Sequence, residues 1–430
     1  MNIVHIIPGT GGSFYCENCV RDGSLVSALR KLGHDVTMVP LYLPLSFDQD
    51  EIIEDTPIFF GAISTYVIEK FPGLAKLPAW ITRILDSRPM LKFAAHQADS
   101  TRAAGLEDMT LSMLKGKAGN QGVEIEHLVQ WLKDELKPDV IYLANLLLLG
   151  LAESLREGLD VPLVCAMEDE DIWLDDMESE ALKKIWSVIA DNSVHIDAFL
   201  PVSDYYNNKI QNHLDIPAEK LKTVHVGIDT DGYPTEINFT HSKRIGYLSR
   251  LSEVLGLGIL VDAFLLLKAE PDFTDLKLSL TGGDTSDDKA FIHMIKAKLT
   301  RAGVIEDVEF QDHFDKESRI QFLQSCTVLS VPMLKEEAFG VFLLEALAAG
   351  VPIIQPHQGA FPEIVQLTGG GLTYSPNTPE ELANTLRAVL LDEAQLTTLA
   401  QTGHEKAHSY FSSEEMAKRM IEVYRDVAKT

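Results

Sequence analysis

Short apolar runs alternate with stretches of helical period along most of this chain, and that alternation leaves few folds open. Asn2–Ile7 is a short apolar run suited to a buried strand. Pro8–Gly12 breaks it with a proline and three glycines. A helical period follows, with Leu25, Val26, Leu29 and Leu32 on one stripe. Arg30 and Lys31 fall in its last turn, and Gly33 stops it. Asp35–Leu41 is the next apolar run. Strand, glycine-rich loop, helix and strand make one βαβ unit, and such units build parallel sheets.

The rhythm lapses over about 44–118, where an insertion of helices and loops is expected. It resumes at Val140–Leu143, Pro162–Met167 and Ala198–Val202, with another short strand expected near Lys222–Val226. A second series starts at Arg244–Ser249. Strands follow at Leu276–Thr281, Val308–Gln311, Val328–Val331 and Pro352–Gln355, each separated from the next by a helical stretch. Helices fill Pro379–Leu391, Ala394–His408 and Ser413–Val427. Two successive α/β units of about 200 residues each are therefore expected, joined near Asp229–Ser242. In open parallel sheets ligands bind beyond the carboxyl ends of the strands, so functional residues are expected just after strands.

The 430 residues are 46% hydrophobic and 23% charged, enough to bury a core. A formal net charge of -27 has the wrong sign for a nucleic-acid partner, and also disfavours flat docking on anionic lipid. The N-terminus lacks the basic region and long apolar stretch of a signal peptide. The longest apolar run, near Leu146–Ala152, is too short for an integral membrane segment. A cytoplasmic location is expected. Four cysteines, Cys16, Cys19, Cys165 and Cys326, are too few for a disulfide framework. Cys16-Glu-Asn-Cys19 lacks the second pair a zinc site needs; it reads as a redox motif or as structural or acceptor-loop cysteines.

The most informative stretch runs from Glu337 through Ala-Phe-Gly-Val-Phe-Leu-Leu to Glu345, then Ala-Leu-Ala-Ala-Gly-Val-Pro. Glu337 falls in a loop after a strand and Glu345 in the helix that follows. Gly340 lets backbone approach a ligand at the helix start, where free N–H groups hold anionic or hydroxyl oxygens. A carboxylate accepts two hydrogen bonds well, which suits the vicinal hydroxyls of a sugar or ribose.

This block resembles family 4 of the retaining glycosyltransferases, and the resemblance is densest from Arg244 to Val365. It implies the GT-B fold: two Rossmann-like α/β domains facing across a cleft. The acceptor domain would cover 1–235 and the nucleotide-sugar donor domain 236–408, with a final helix over 409–430 returning to the first. It implies that Glu337 contacts the transferred sugar and that Glu345 binds the ribose. Backbone amides at Phe339, Gly340 and Val341 would lie near the diphosphate. Arg250, in Gly246-Tyr-Leu-Ser-Arg250, matches the family's diphosphate-binding arginine. Leu255 stands where the family has a lysine, and Lys335 is the expected replacement cation. Gly11 and Gly12 match the family's glycine loop. Glu168 falls where many members carry a histidine near the sugar; a solvated acidic loop over Glu168–Asp171 is the competing reading. Gly359-Ala-Phe-Pro-Glu363 resembles a donor-side loop, and reads equally as a glycine turn before a helix. Gly227-Ile228-Asp229 matches an interdomain step, and Ser203 reads as a helix cap. Asn18, Arg21 and Asp22 are the expected acceptor-side residues.

The resemblance implies retaining transfer from a nucleoside-diphosphate sugar, a co-substrate, with no cofactor and no metal. The acceptor, a glycan, small molecule or lipid-linked sugar, has no motif, nor has the oligomeric state. Leu255 and Glu168 keep open a non-catalytic or altered sugar-nucleotide binder; an epimerase of the same fold is a further alternative. A dehydrogenase is disfavoured, because G-x-G-x-x-G is absent.

Overall fold

The computed structural model describes residues 1–9, 14–42, 105–237 and 243–429. They form two compact units. The first takes 1–9, 22–42, 105–225 and 417–429; the second takes 14–21, 226–237 and 243–416. The expected insertion lies outside the described residues as far as 104; beyond it, Glu107–Leu114 is a helix. Gly11 and Gly12 also lie outside them.

The first unit holds a five-stranded parallel sheet in the order β2-β1-β3-β4-β5. Its strands are β1 (Asn2–Ile7), β2 (Asp35–Pro40), β3 (Val140–Leu143), β4 (Leu163–Met167) and β5 (Ala198–Pro201). Asn2 pairs with Asp35 and Ile3 with Val140, so β1 is paired on both edges and its side chains are buried on both faces. That double burial is why the run lacks polar alternation. His5 is the exception. Its ring stacks on Tyr142 with centroids 4.2 Å apart, and its Nε2 lies 3.4 Å from the Tyr424 hydroxyl. Tyr424 comes from the final helix Ser413–Val427, whose residues from Ala417 belong to this unit.

Lys222–Val226 is not a strand. The Lys222 and Val224 amides donate to the Phe199 and Pro201 carbonyls at 2.9 and 3.0 Å. Two bonds are too few for a ladder before the chain passes into the second unit.

The second unit holds a six-stranded parallel sheet in the order β11-β10-β9-β6-β7-β8. Its strands are β6 (Arg244–Leu248), β7 (Lys277–Thr281), β8 (Val308–Phe310), β9 (Val328–Leu329), β10 (Ile353–Pro356) and β11 (Gly371–Tyr374). Four helices matter below: α1 (Glu17–Lys31), α2 (Lys316–Ser325), α3 (Val341–Ala348) and α4 (Phe361–Thr368). β11 was not among the expected strands. A Cβ on Gly371 would lie 2.2 Å from the Ile353 carbonyl oxygen, so glycine is what lets this strand approach β10. The chain moves outward from β6 through β7 to β8, then returns to β9 on the other side of β6. In open parallel sheets ligands bind beyond the carboxyl ends of the strands at such a reversal, here β6 and β9.

Candidate functional site

The loops after β6 and β9 meet at this reversal. Gly256, at φ +79, lies so close to the second loop that a Cβ would sit 1.8 Å from the Pro332 carbonyl oxygen. Arg250 follows β6. Its Nε lies 3.7 Å from Asp288 Oδ2, and the Tyr247 hydroxyl donates to its carbonyl at 2.9 Å. Glu337, on the loop after β9, is buried. Gly340, at φ +91, turns that loop into α3. All eight residues of α3 are buried, which carries Glu345 into the interior at 1% exposure.

A buried carboxylate is tolerated only when its oxygens are paired. Glu345 Oε1 accepts from the Tyr233 hydroxyl at 2.7 Å and from Arg319 Nε at 3.0 Å. Its Oε2 accepts from the Tyr15 hydroxyl at 2.5 Å. Arg319, on α2, also donates from Nη1 to the Phe314 carbonyl at 2.7 Å, and its guanidinium lies 5.3 Å from the Tyr15 ring centre. Burial, followed by the Glu345 charge, raises the Tyr15 phenol well above its ordinary range. The phenol is therefore the donor in this pair. Tyr15, Tyr233 and Arg319 were not identified from sequence.

Tyr15 belongs to a segment that runs over the same groups. Its N–H donates to the Gly282 carbonyl at 2.9 Å, and Phe14 bridges Gly283. The Arg250 guanidinium lies 5.7 Å from the Phe14 ring centre. The Glu17 carboxylate accepts from the Val341 N–H, the first amide of α3. Cys16 and Cys19 form a disulfide across the start of α1. Of the expected acceptor residues, Asn18 is exposed, whereas Arg21 and Asp22 are buried.

Lys335 is exposed on the β9–α3 loop, and Leu255 is half-buried with its carbonyl 3.3 Å from the Tyr247 hydroxyl. Phe339 is buried edge-on against Phe411. Gly359, at φ +58, packs against the loop that carries Glu337, and Glu363 lies in the first turn of α4. Ile228 pairs with the chain at 411–413: its N–H donates to the Phe411 carbonyl at 2.9 Å, and its carbonyl accepts from the Ser413 N–H at 2.7 Å.

Glu168 lies in the first unit, just after β4, and is buried. The acidic run is not a solvated loop, because Glu170 and Asp171 are buried too. Glu170 Oε1 accepts from Leu146 N–H at 2.8 Å, and its Oε2 from Glu168 N–H at 2.8 Å and the Tyr206 hydroxyl at 2.7 Å. Glu170 thus ties the loop after β4 to the loop after β3 and sets the backbone of Glu168. Burial pushes its carboxyl up to about 8, despite these donors. Asp171 pairs with Lys209 at 2.8 Å. Ser203 caps its helix by accepting from Tyr206 N–H at 3.0 Å. Among the described residues, no group of three or more His, Cys, Asp or Glu is placed to hold a metal ion. Nor is any described helix long and apolar enough to cross a membrane.

Residues 234–406 match the family model of glycosyl transferases group 1. A D-inositol 3-phosphate glycosyltransferase of Jonesia denitrificans is 26% identical over 220 residues, covering 48% of this chain and 51% of that one. A glycogen synthase of Mycobacterium tuberculosis is 24% identical over 296 residues, covering 67% and 69%. The chain thus spans about half the length of the Jonesia relative. Among solved structures, Anabaena HepE in complex with UDP superposes with a TM-score of 0.68 at 16% identity, over 99% of this chain and 100% of that one. A sucrose-phosphate synthase from Thermosynechococcus elongatus gives 0.69 at 18% identity, over 99% and 98%. These two structures share this chain's fold.

Proposed function

We propose that this chain, whose residues 234–406 match the family model of the group 1 glycosyl transferases, is a retaining glycosyltransferase that uses a nucleoside-diphosphate sugar. One observation carries the reading. Glu337, the amide end of α3, Glu345 and Arg250 belong to loops and a helix that follow β6 and β9, the two strands at the reversal of the second sheet. The Anabaena neighbour was solved with UDP, which supports a nucleotide as the ligand class.

In this reading Glu345 takes the ribose hydroxyls and Glu337 the transferred sugar. Arg250 and the Val341 amide meet the diphosphate, whose negative charge grows as the sugar leaves. The acceptor oxygen bonds to the anomeric carbon on the face that the phosphate oxygen vacates. That phosphate oxygen takes the acceptor's proton, so configuration is kept without a protein nucleophile. The protein's contribution is positioning and charge stabilisation.

The test is a calorimetric screen of nucleoside-diphosphate sugars against the wild type and Glu345→Gln. A donor that binds the wild type and loses at least tenfold in affinity in the variant supports the reading; no binding by any donor sinks it.

A second reading, a sugar-nucleotide binder without transfer, is favoured by Leu255, which removes a cation expected at the diphosphate. Release of nucleoside diphosphate from a bound donor, with a panel of acceptors, separates the two.

A further inference from the structure

The groups assigned to the donor are already occupied, and by this chain's own residues. Glu345 at 1% exposure is closed to any molecule in solution while Tyr15 stays in place. The Val341 amide is taken by the Glu17 carboxylate. The Arg250 guanidinium faces the Phe14 ring. Three residues of one short segment, Phe14, Tyr15 and Glu17, thus reach Arg250 after β6 and both Val341 and Glu345 on α3. The match is chemical as well as spatial. A hydroxyl donor sits on the carboxylate expected to take ribose hydroxyls. An anion sits on the helix amide expected to take an anionic diphosphate.

We propose that Phe14–Glu17 is an internal stand-in for the nucleotide, and that a nucleoside diphosphate binds by displacing it. This rests on the donor-site reading above. The remaining partners of Glu345 are built to stay. Tyr233 and Arg319 bond to Oε1, whereas Tyr15 bonds to Oε2, so its departure uncovers one oxygen and leaves the carboxylate oriented. The energetic consequence is a tax on affinity. Only the fraction of molecules with the segment withdrawn can bind, and the apparent dissociation constant rises by the inverse of that fraction. Weakening the segment's contacts must therefore tighten nucleotide binding, the reverse of what truncating a true ligand contact does.

The experiment measures UDP, GDP and ADP binding by calorimetry to the full chain. It compares wild type, Tyr15→Phe, Glu17→Gln and the double variant. Tyr15→Phe keeps the ring and removes only the hydroxyl. A hydrogen bond to a charged group is worth enough that each single variant is expected to bind its nucleotide about tenfold tighter. Binding equal to or weaker than wild type in both variants overturns the proposal and leaves the donor-site reading intact. Failure of every nucleotide with every protein sinks that reading, and the proposal with it. Amide hydrogen exchange on the wild type gives a second measure that needs no variant. Saturating nucleotide should speed exchange at the Tyr15 amide, which is bonded to Gly282; unchanged or slower exchange there overturns the proposal.

Discussion

Arg319 Nε lies 3.0 Å from Glu345 Oε1, and both side chains are almost wholly out of solvent. Breaking such a pair from one side leaves a buried charge with less compensation, which costs about 3–5 kcal/mol. Arg319→Met should therefore lower the unfolding midpoint sharply. Arg319→Met combined with Glu345→Gln should recover much of that loss, because no lone charge remains. Chemical denaturation of Arg319→Met, Glu345→Gln and the double variant gives the coupling energy directly. Strictly additive losses would show that the two side chains do not support each other.

Gly359 sets the position of Glu337. A Cβ at Gly359 would lie 2.5 Å from the Glu337 carbonyl oxygen and 2.6 Å from its nitrogen. The Ala360 amide also donates to that oxygen at 2.9 Å. The φ of +58 adds a left-handed conformation that costs an L-residue about 1–2 kcal/mol. Gly359→Ala should thus destabilise the protein by roughly 2–3 kcal/mol and push Glu337 off its site. Thermal unfolding reads the first effect. A rise in donor KM at temperatures where the variant is fully folded reads the second; an unchanged KM would detach Gly359 from the site.

These two cases mark how far local sequence carries. The βα rhythm was legible from apolar runs and glycine stops, and it led to the strands that bear Arg250 and Glu337. β11 was hidden because Gly371 serves close strand approach, which looks locally like turn chemistry. Lys222–Val226 read as a strand, though whether a short run joins a ladder depends on what lies beside it. Tyr15 and Tyr233 lie 330 and 112 residues from Glu345 along the chain, so no spacing rule points to them. Glu168–Asp171 shows the same limit. Four acids in a row admit a solvated reading; three of them, Glu168, Glu170 and Asp171, are buried, and the last two are held by Leu146, Tyr206 and Lys209, which arrive from other elements.

The Cys16–Cys19 bond closes a short loop around Glu17, beside Tyr15. Opening it returns conformational freedom to the segment at the nucleotide groups, which favours withdrawal. With a thiol reductant, or in Cys16→Ser/Cys19→Ser, UDP or GDP should bind tighter than to the oxidised wild type. The gain should be smaller than in the Tyr15→Phe/Glu17→Gln double variant, because the hydroxyl and carboxylate contacts remain. Calorimetry on oxidised and reduced protein decides it. Weaker binding on reduction would show that the bridge supports nucleotide binding instead of opposing it.

Glu170 makes the first unit less stable as pH rises. Burial raises its carboxyl from 4.5 to about 8 in the folded protein, whereas in the unfolded chain it titrates as an ordinary glutamate. Between those values the folded state holds a proton that the unfolded state has released. Stability is then complete below about pH 4.5, falls as pH rises through the window, and loses nothing more from this group above about pH 8. The slope is at most about 1.4 kcal/mol per pH unit. The donors on Glu170 oppose that rise, and burial outweighs them. Tyr206 has one proton and two oxygens within reach, Glu170 Oε2 at 2.7 Å and the Glu168 carbonyl at 3.1 Å. A proton on Glu170 frees the phenol to serve Glu168. Glu170→Gln mimics that neutral state but cannot titrate. Its denaturation free energy should be flatter than wild type between about pH 5 and 8, at the cost of one acceptor for the Glu168 amide. A variant that keeps the wild-type slope would assign the pH dependence to other groups.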